Sequence, residues 1–123
     1  MSRWMIVGAT LVAAGRAAAA PETGFPVRNA TELAAICAGT PPGVSTPAAR
    51  EPAITFCHGY AQGVVSVLLH ENARSFCIPN PAPSRTQTMG EYQMWVHAKP
   101  ERGGTQAAAS LEEFFKERFP CQG

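Results

Sequence analysis

Four cysteines and three histidines are the residues of this chain whose side chains could do chemistry. Cys57 and His58 are adjacent, and the other cysteines, Cys37, Cys77 and Cys121, each lie 20 or more residues away from Cys57. This spacing lacks the close cysteine pairs that are typical of zinc sites. Neighbouring residues on a helix do not face each other, so Cys57 and His58 are poorly placed to act as a nucleophile and its base.

The remaining ionisable residues also argue against an enzyme. The chain has no aspartate, which excludes a Ser-His-Asp triad and aspartate-led metal loops. His58 and His70 are about three helical turns apart, too far to share a metal without other ligands. We interpret both as part of a partly solvated helix face, and His97 near Glu101 as an exposed helix end. We therefore predict no catalytic residues, no metal site and no cofactor.

The first part of the chain has the pattern of a secretory signal peptide. Arg3 precedes an uncharged run from residue 4 to residue 15, followed by small side chains. We expect cleavage after Ala19, with Ala18 and Ala20 as alternatives. The predicted organisation is a signal peptide over residues 1–19, an extended lead-in over residues 20–28, and one helical domain over residues 29–123.

Charge and cysteine content indicate where the mature protein works. Loss of Arg3 and Arg16 leaves eight of the ten basic residues against nine acidic ones, so the net charge is close to zero. Such a chain lacks the basic surface that binds nucleic acid or anionic lipid. We also expect no later stretch to be apolar enough to cross a membrane, and so no stable membrane insertion. An exported chain with an even number of cysteines is expected to form disulfides in the periplasm.

Apolar residues recur at helical spacing, and no stretch alternates with a period of two, so the fold class is predicted to be all-α. Helix-capping residues and prolines delimit four helices, which together make a small four-helix domain. The predicted limits are Asn29 or Thr31 to about Cys37; near Pro52 to about Asn72; Ser84, Thr86 or Thr88 to just before Pro100; and a last helix through residues 108–115 that ends at residues 119–121.

The second helix is apolar over most of its circumference. His58, Gln62 and Ser66 belong to its narrow polar stripe, which predicts a central helix packed against more than one neighbour. Gly59 and Gly63 each cost about 1 kcal/mol relative to alanine inside a helix. Their four-residue spacing would let the backbone of another helix approach closely, which would offset this cost.

Helix order constrains the disulfides. Cys57 and Cys77 lie near opposite ends of one helix, about 30 Å apart, and cannot bond each other. A short loop brings Cys37 beside Cys57. If the last three helices alternate in direction, Cys77 and Cys121 meet at the far end. We therefore predict Cys37–Cys57 and Cys77–Cys121.

Several short motifs follow one another in a fixed order along the chain. They are Cys37 in the first helix, Cys57-x-Gly59-Tyr60-x-x-Gly63, Cys77-Ile78-Pro79, a capped third helix and Phe119-Pro120-Cys121. In these motifs the sequence from Cys37 to Cys121 resembles the Rap/Tai family of type VI secretion immunity proteins. The resemblance implies a periplasmic, non-enzymatic protein that inhibits a peptidoglycan amidase by placing a loop or helix end in its cleft, often as a homodimer. It also implies scaffold roles for Gly59, Tyr60, Gly63, Pro79, Phe119 and Pro120.

Two segments are predicted to contact the amidase toxin, because they combine stiff backbone with exposed polar groups. One follows Cys77, from Asn80 to Arg85. The other is the turn from His97 to Arg102, including Lys99 and Glu101. Trp95 is the candidate anchor, since tryptophan is enriched at binding hot spots.

Two other functions remain open at this stage. One is an acid-stress chaperone of the HdeA type, which is also small, helical, periplasmic and disulfide-bonded. The other is a structural envelope protein. A neighbouring gene for a secreted Cys-His amidase would favour the immunity role, whereas protection of client proteins at low pH would favour the chaperone.

Overall fold

The computed structural model describes residue 25 and residues 27–71 and 75–122. These residues form four α-helices: α1 (Ala30–Cys37), α2 (Arg50–Glu71), α3 (Arg85–Ala98) and α4 (Ala107–Arg118). Single 3-10 turns at Pro47–Ala49 and Pro100–Gly104 precede α2 and α4. The predicted all-α, four-helix fold is therefore confirmed. The predicted signal peptide, most of the lead-in before residue 27 and the expected end of the second helix at Asn72 lie outside the described residues.

Side-chain caps start three of the helices. The Asn29 Oδ1 atom accepts a hydrogen bond from the Glu32 amide at 2.9 Å, and the Ser84 Oγ atom accepts one from the Gln87 amide at 3.1 Å. Each bond satisfies an amide that has no partner within its helix. The structure thus selects Asn29 and Ser84 from the predicted alternatives. Gln106 caps α4 in the same way, which its residue type did not indicate.

The beginnings of α1 and α4 are joined by backbone hydrogen bonds. The Ala30 amide donates to the Thr105 carbonyl at 2.9 Å, and the Ala107 amide donates to the Arg28 carbonyl at 3.2 Å. Gly103 lies against this junction, where a Cβ atom would collide with the Thr31 hydroxyl. A side chain at position 103 would therefore push the turn before α4 away from α1.

Two disulfides hold the helices together, with the pairs that the helix order predicted. Cys37 at the end of α1 is bonded to Cys57, with Cα atoms 5.0 Å apart, and both residues are buried. Cys57 lies two turns inside α2 rather than at its start, because α2 begins at Arg50. Cys77 and Cys121 are bonded at the surface, with Cα atoms 4.9 Å apart.

The core lies where α1, α3 and α4 meet the first half of α2. Its largest fully buried apolar side chains include Leu33, Ile36, Phe76, Tyr92 and Leu111. Phe76 stacks on the Phe115 ring of α4 with centroids 5.2 Å apart, so the segment after α2 also reaches the core. Tight packing of this kind accounts for most of the stability of short helices.

The second half of α2 is less buried than the predicted packing against several neighbours requires. Ala53, Cys57 and Ala61 are its buried residues, whereas Val67 is 54% exposed. A Cβ atom added at Gly59 or Gly63 would meet nothing within 4 Å in the described chain, so the helix that this spacing would admit is not one of α1, α3 or α4. The apolar arc is real, but the neighbours of α2 within the domain cover only part of it.

The expectation that no later stretch is apolar enough to cross a membrane is also wrong. The segment Pro47–Glu71 is 25 residues long and passes that test by length and composition. In the structure, however, the same helix is bonded to α1 through Cys57 and packs against α1, α3 and α4. These attachments place α2 within the helical domain.

Candidate partner-binding surface

A groove of about 460 Å³ lies between α2 and the segment that connects α2 to α3. We call it the connector groove. Its apolar lining belongs to all the surrounding elements, and its polar groups come from α2 and from the first turn of α3. The residues that line it are His58, Ala61, Gln62, Gly63, Val65, Ser66, Ile78, Ala82, Pro83, Arg85, Thr88, Met89, Phe115 and Phe119.

The connector wall of this groove is held at both ends. At its start, Cys77 is bonded to Cys121, and the Cys77 amide donates to the Phe119 carbonyl at 2.8 Å. At its end, Ser84 caps α3. Prolines at positions 79, 81 and 83 restrict the backbone between these two points. The wall is therefore largely ordered before any partner binds.

Polar groups line the α2 side of the connector groove. With its amide oriented to satisfy both groups, Gln62 accepts hydrogen bonds from Nε and Nη2 of Arg85 at 3.1 and 2.9 Å. His58 is half-buried one turn before Gln62, and Ser66 is one turn beyond it. The polar stripe that the sequence analysis assigns to a solvated helix face thus borders a concave surface. Apolar residues such as Ala61 and Val65 lie directly beside this stripe in the sequence, and they line the same groove.

The predicted contact residues at the other end of α3 form a separate surface. We call residues 97–102 the distal turn. His97, Lys99 and Glu101 are exposed there, whereas Arg102 is half-buried. The side chain of Arg102 reaches back to α3, where its Nη1 atom donates to the Trp95 carbonyl at 2.6 Å.

Trp95 is engaged by residues of its own domain. Its ring stacks with Tyr92 and meets Phe114 edge-on, with centroids 6.1 and 5.8 Å apart. The Arg102 guanidinium lies 4.0 Å from the ring centroid, and the indole N–H donates to a carboxylate oxygen of Glu117. The ring is half-buried by these contacts. A role for Trp95 as an anchor for a partner stays a prediction.

The two predicted contact segments do not form one patch. Arg85 is the first residue of α3 and His97 is one of its last. Twelve residues of helical rise separate them, which amounts to about 18 Å. Asn80 is exposed on the connector, so it lies on the Arg85 side. A partner segment in the connector groove would need about six more extended residues to reach the distal turn.

A second groove lies on another side of α2, and we call it the glycine groove. It measures about 630 Å³ and is lined by α2 and α4. The residues are Gly59, Tyr60, Gly63, Val64, Val67, Leu68, Gln106, Ala108, Ala109 and Glu112. Tyr60 is half-buried and stacks with Phe56, which itself meets Phe25 of the lead-in. Gly59 and Gly63 are exposed and leave the α2 backbone accessible here.

The other predicted scaffold residues are divided between core and surface. Phe119 is buried and lines the connector groove, where it fixes the end of α4 beside Cys77. Pro79 and Pro120 are exposed, each two residues or fewer from a cysteine of the surface disulfide. Their rings restrict the backbone of the two chain segments that this disulfide joins.

Shifted pKa values occur away from both grooves, except at Tyr60. Burial raises the pKa of Tyr92 to about 12, partly offset by its hydrogen bond to Ser110. Burial also raises the pKa of Tyr60. The Arg28 guanidinium lowers the pKa of Glu32, and that of Arg118 lowers the pKa of Glu91, through hydrogen-bonded ion pairs. In the described part of the chain, no three His, Cys or Glu residues form a group that could hold a metal.

The sequence model of the Rap1a immunity proteins matches residues 29–121. This range begins at the cap of α1, ends at the last cysteine and contains all four helices. The chain belongs to the Rap1a immunity protein family. A search of curated proteins gives no significant match.

The features described above lie within the part of the chain that matches the Rap1a family. The matched range includes both disulfides, both grooves and the distal turn. It excludes the predicted signal peptide and most of the lead-in. Both predicted contact segments thus lie within the family domain, and the family match favours an immunity role over a chaperone or a structural envelope protein.

Proposed function

We propose that this Rap1a family member is a periplasmic immunity protein that binds and inhibits a peptidoglycan amidase effector of type VI secretion. The match of the family model to the whole helical domain carries this proposal. The family resemblance of the sequence supplies the amidase as the target. Inhibition is by occlusion, and the chain contributes no chemistry of its own.

Two independent features support export to the periplasm. Residues 1–19 have the charge and apolar pattern of a signal peptide. Both disulfides join segments that are distant in sequence, by 20 and 44 residues, and one of them is exposed at the surface. Structural disulfides of this kind persist in an oxidising compartment. The periplasm is also where an amidase meets peptidoglycan.

A homodimer is part of the same proposal, and the glycine groove is the face that a second copy would cover. Gly59 and Gly63 lie one turn apart on α2 and would let a second α2 approach closely. Val67 is 54% exposed beside them, and Val64 and Leu68 are half-buried. Covering these side chains would remove apolar surface from water in both copies. An isologous dimer uses the same patch on each subunit.

The test of the proposed function is protection of cells from the toxin. A gene for a secreted Cys-His amidase is first sought beside the gene for this chain. Its product is then directed to the periplasm with and without the exported chain, and lysis is followed by optical density. We expect lysis only without the chain, and a stable complex when the two purified proteins are mixed. Continued lysis with no complex would refute the proposal. A chain without residues 1–19 is the control, because it stays in the cytoplasm and should not protect.

A further inference from the structure

We propose that the connector groove receives a segment of the toxin in which an apolar side chain is followed by a carboxylate. This inference rests on the proposed function and specifies the surface and the chemistry of the contact. The apolar side chain would enter the groove, and the carboxylate would pair with Arg85 at its rim. The distal turn would then lie outside the main contact.

The base of the groove is apolar and already buried. Ala61, Met89, Phe115 and Phe119 line it and are each 5% exposed or less. Ile78, which is 40% exposed, stands at the edge. The volume of about 460 Å³ lies within the range of about 300–1,000 Å³ that is usual for ligand pockets. An apolar side chain placed here would contact these residues and be partly removed from water.

The positive charge of Arg85 is the reason for placing a carboxylate in the proposed toxin segment. Arg85 is the charged residue in its lining, and within residues 27–71 and 75–122 no carboxylate lies within ion-pair distance of it. Arg28, Arg102, Lys116 and Arg118 are each paired with a glutamate of the domain, whereas the described ion pairs include neither Arg50 nor Lys99, both of which lie outside the groove lining. Among the described residues, the neutral amide of Gln62 is the hydrogen-bond partner of the Arg85 guanidinium. A carboxylate supplied from outside would form a stronger, charge-assisted bond with the guanidinium.

The wall that carries these groups is rigid enough to recognise one segment. The Cys77–Cys121 disulfide and the Cys77–Phe119 hydrogen bond hold its start, and the Ser84 cap holds its end. A preformed wall loses little conformational entropy on binding, so more of the contact energy appears as affinity. The same groove is too far from Lys99 for one short segment to use both.

The first experiment measures affinity for the adjacent amidase by calorimetry. Arg85→Glu should weaken binding by roughly 30-fold or more, because it replaces an attraction with a repulsion at a partly desolvated site. Ser66→Trp, which fills the groove from an exposed position without changing charge, should weaken binding to a similar extent. Lys99→Glu makes the same charge reversal at the distal turn and should have a much smaller effect. Circular dichroism and thermal melting check that each variant is folded.

The second experiment locates the contact directly. The photoreactive residue p-benzoylphenylalanine is placed at Ala82 in the connector wall or at Met94, which is 66% exposed on α3. We expect crosslinks to the amidase from position 82 and none from position 94, and the crosslinked peptide should contain an acidic residue beside an apolar one.

The outcomes separate this inference from the proposed function. A wild-type chain that forms no complex with the amidase overturns both. A wild-type complex that survives Arg85→Glu and Ser66→Trp overturns the groove alone, as does a crosslink from position 82 to a second copy of this chain. A larger loss for Lys99→Glu than for Arg85→Glu would transfer the contact to the distal turn.

Discussion

The buried hydrogen bond between Tyr92 of α3 and Ser110 of α4 should show strong, asymmetric coupling when its partners are removed. The two hydroxyl oxygens are 2.6 Å apart, and both residues are 0% exposed. The Ser110 hydroxyl also donates to the Ala107 carbonyl at 2.7 Å. Because serine has a single hydroxyl hydrogen, Tyr92 must be the donor in its bond with Ser110.

This assignment gives each substitution a different cost. Ser110→Ala leaves the Tyr92 hydroxyl buried with no acceptor, which should cost about 2 kcal/mol. Tyr92→Phe removes the donor while Ser110 keeps its bond to Ala107, so the cost should be about 1 kcal/mol. The double variant leaves no unsatisfied donor and should also lose only about 1 kcal/mol. The interaction energy of the cycle is then roughly 2 kcal/mol.

The assay is urea unfolding of the mature protein followed by circular dichroism, with the disulfides intact. In thermal melts, Ser110→Ala should lower the Tm by about 10 °C, since 1 kcal/mol corresponds to roughly 4–8 °C in a domain of this size. Ser45→Ala in the exposed loop is the matched control and should change stability by less than about 0.5 kcal/mol. Costs that add within about 0.5 kcal/mol, or a larger cost for Tyr92→Phe than for Ser110→Ala, would refute the reasoning.

Four further predictions concern other parts of the domain. Because burial raises the pKa of Tyr92 to about 12, its neutral form stabilises the folded state fully below about pH 10. This stabilisation, roughly 2–3 kcal/mol, is lost as the pH rises toward 12, and alkaline unfolding of wild type and Tyr92→Phe would measure it. At protein concentrations where the chain is a monomer, Gly63→Ala should raise the free energy of unfolding by about 1 kcal/mol, since the added Cβ meets nothing within 4 Å in the described chain; a loss of stability of the monomer in thermal melts would contradict this. Val67→Glu should convert a dimer into a monomer in light scattering, and an unchanged mass would place the dimer interface elsewhere. Replacing Cys77 and Cys121 by serine should lower the free energy of unfolding by about 4 kcal/mol in chemical denaturation, because the disulfide closes a loop of 44 residues and so restricts the unfolded chain. A decrease below about 1 kcal/mol would contradict this argument.

Some elements of this protein could be predicted from sequence because their signals are local. Asn29 and Ser84 are the residues that favour a helix N-terminus, and each caps the helix that follows it. The disulfide pairs followed from helix length, although Cys77 lies beyond α2 rather than near its end. The 14 residues of α2 after Cys57 amount to about 21 Å of helical rise and direct the chain away from Cys57. The cysteine frame and its order along the chain also pointed to the family whose model matches residues 29–121.

Other features depended on which faces of the helices meet, and this is a property of the assembled domain. Helical periodicity gave α2 a broad apolar arc, but only the positions of α1, α3 and α4 determine that its second half remains uncovered. For the same reason, the spacing of Gly59 and Gly63 suggested an approaching helix and could not reveal that the described chain leaves that ridge open. The sequence by itself determined the four helices, the caps of α1 and α3 and the disulfide frame, because these depend on residue type and on distances along the chain. Only the tertiary structure decided that Arg85 lies in a groove whose described lining has no carboxylate, and that Trp95 is held by Phe114 and Arg102, because such contacts join residues from different helices or turns.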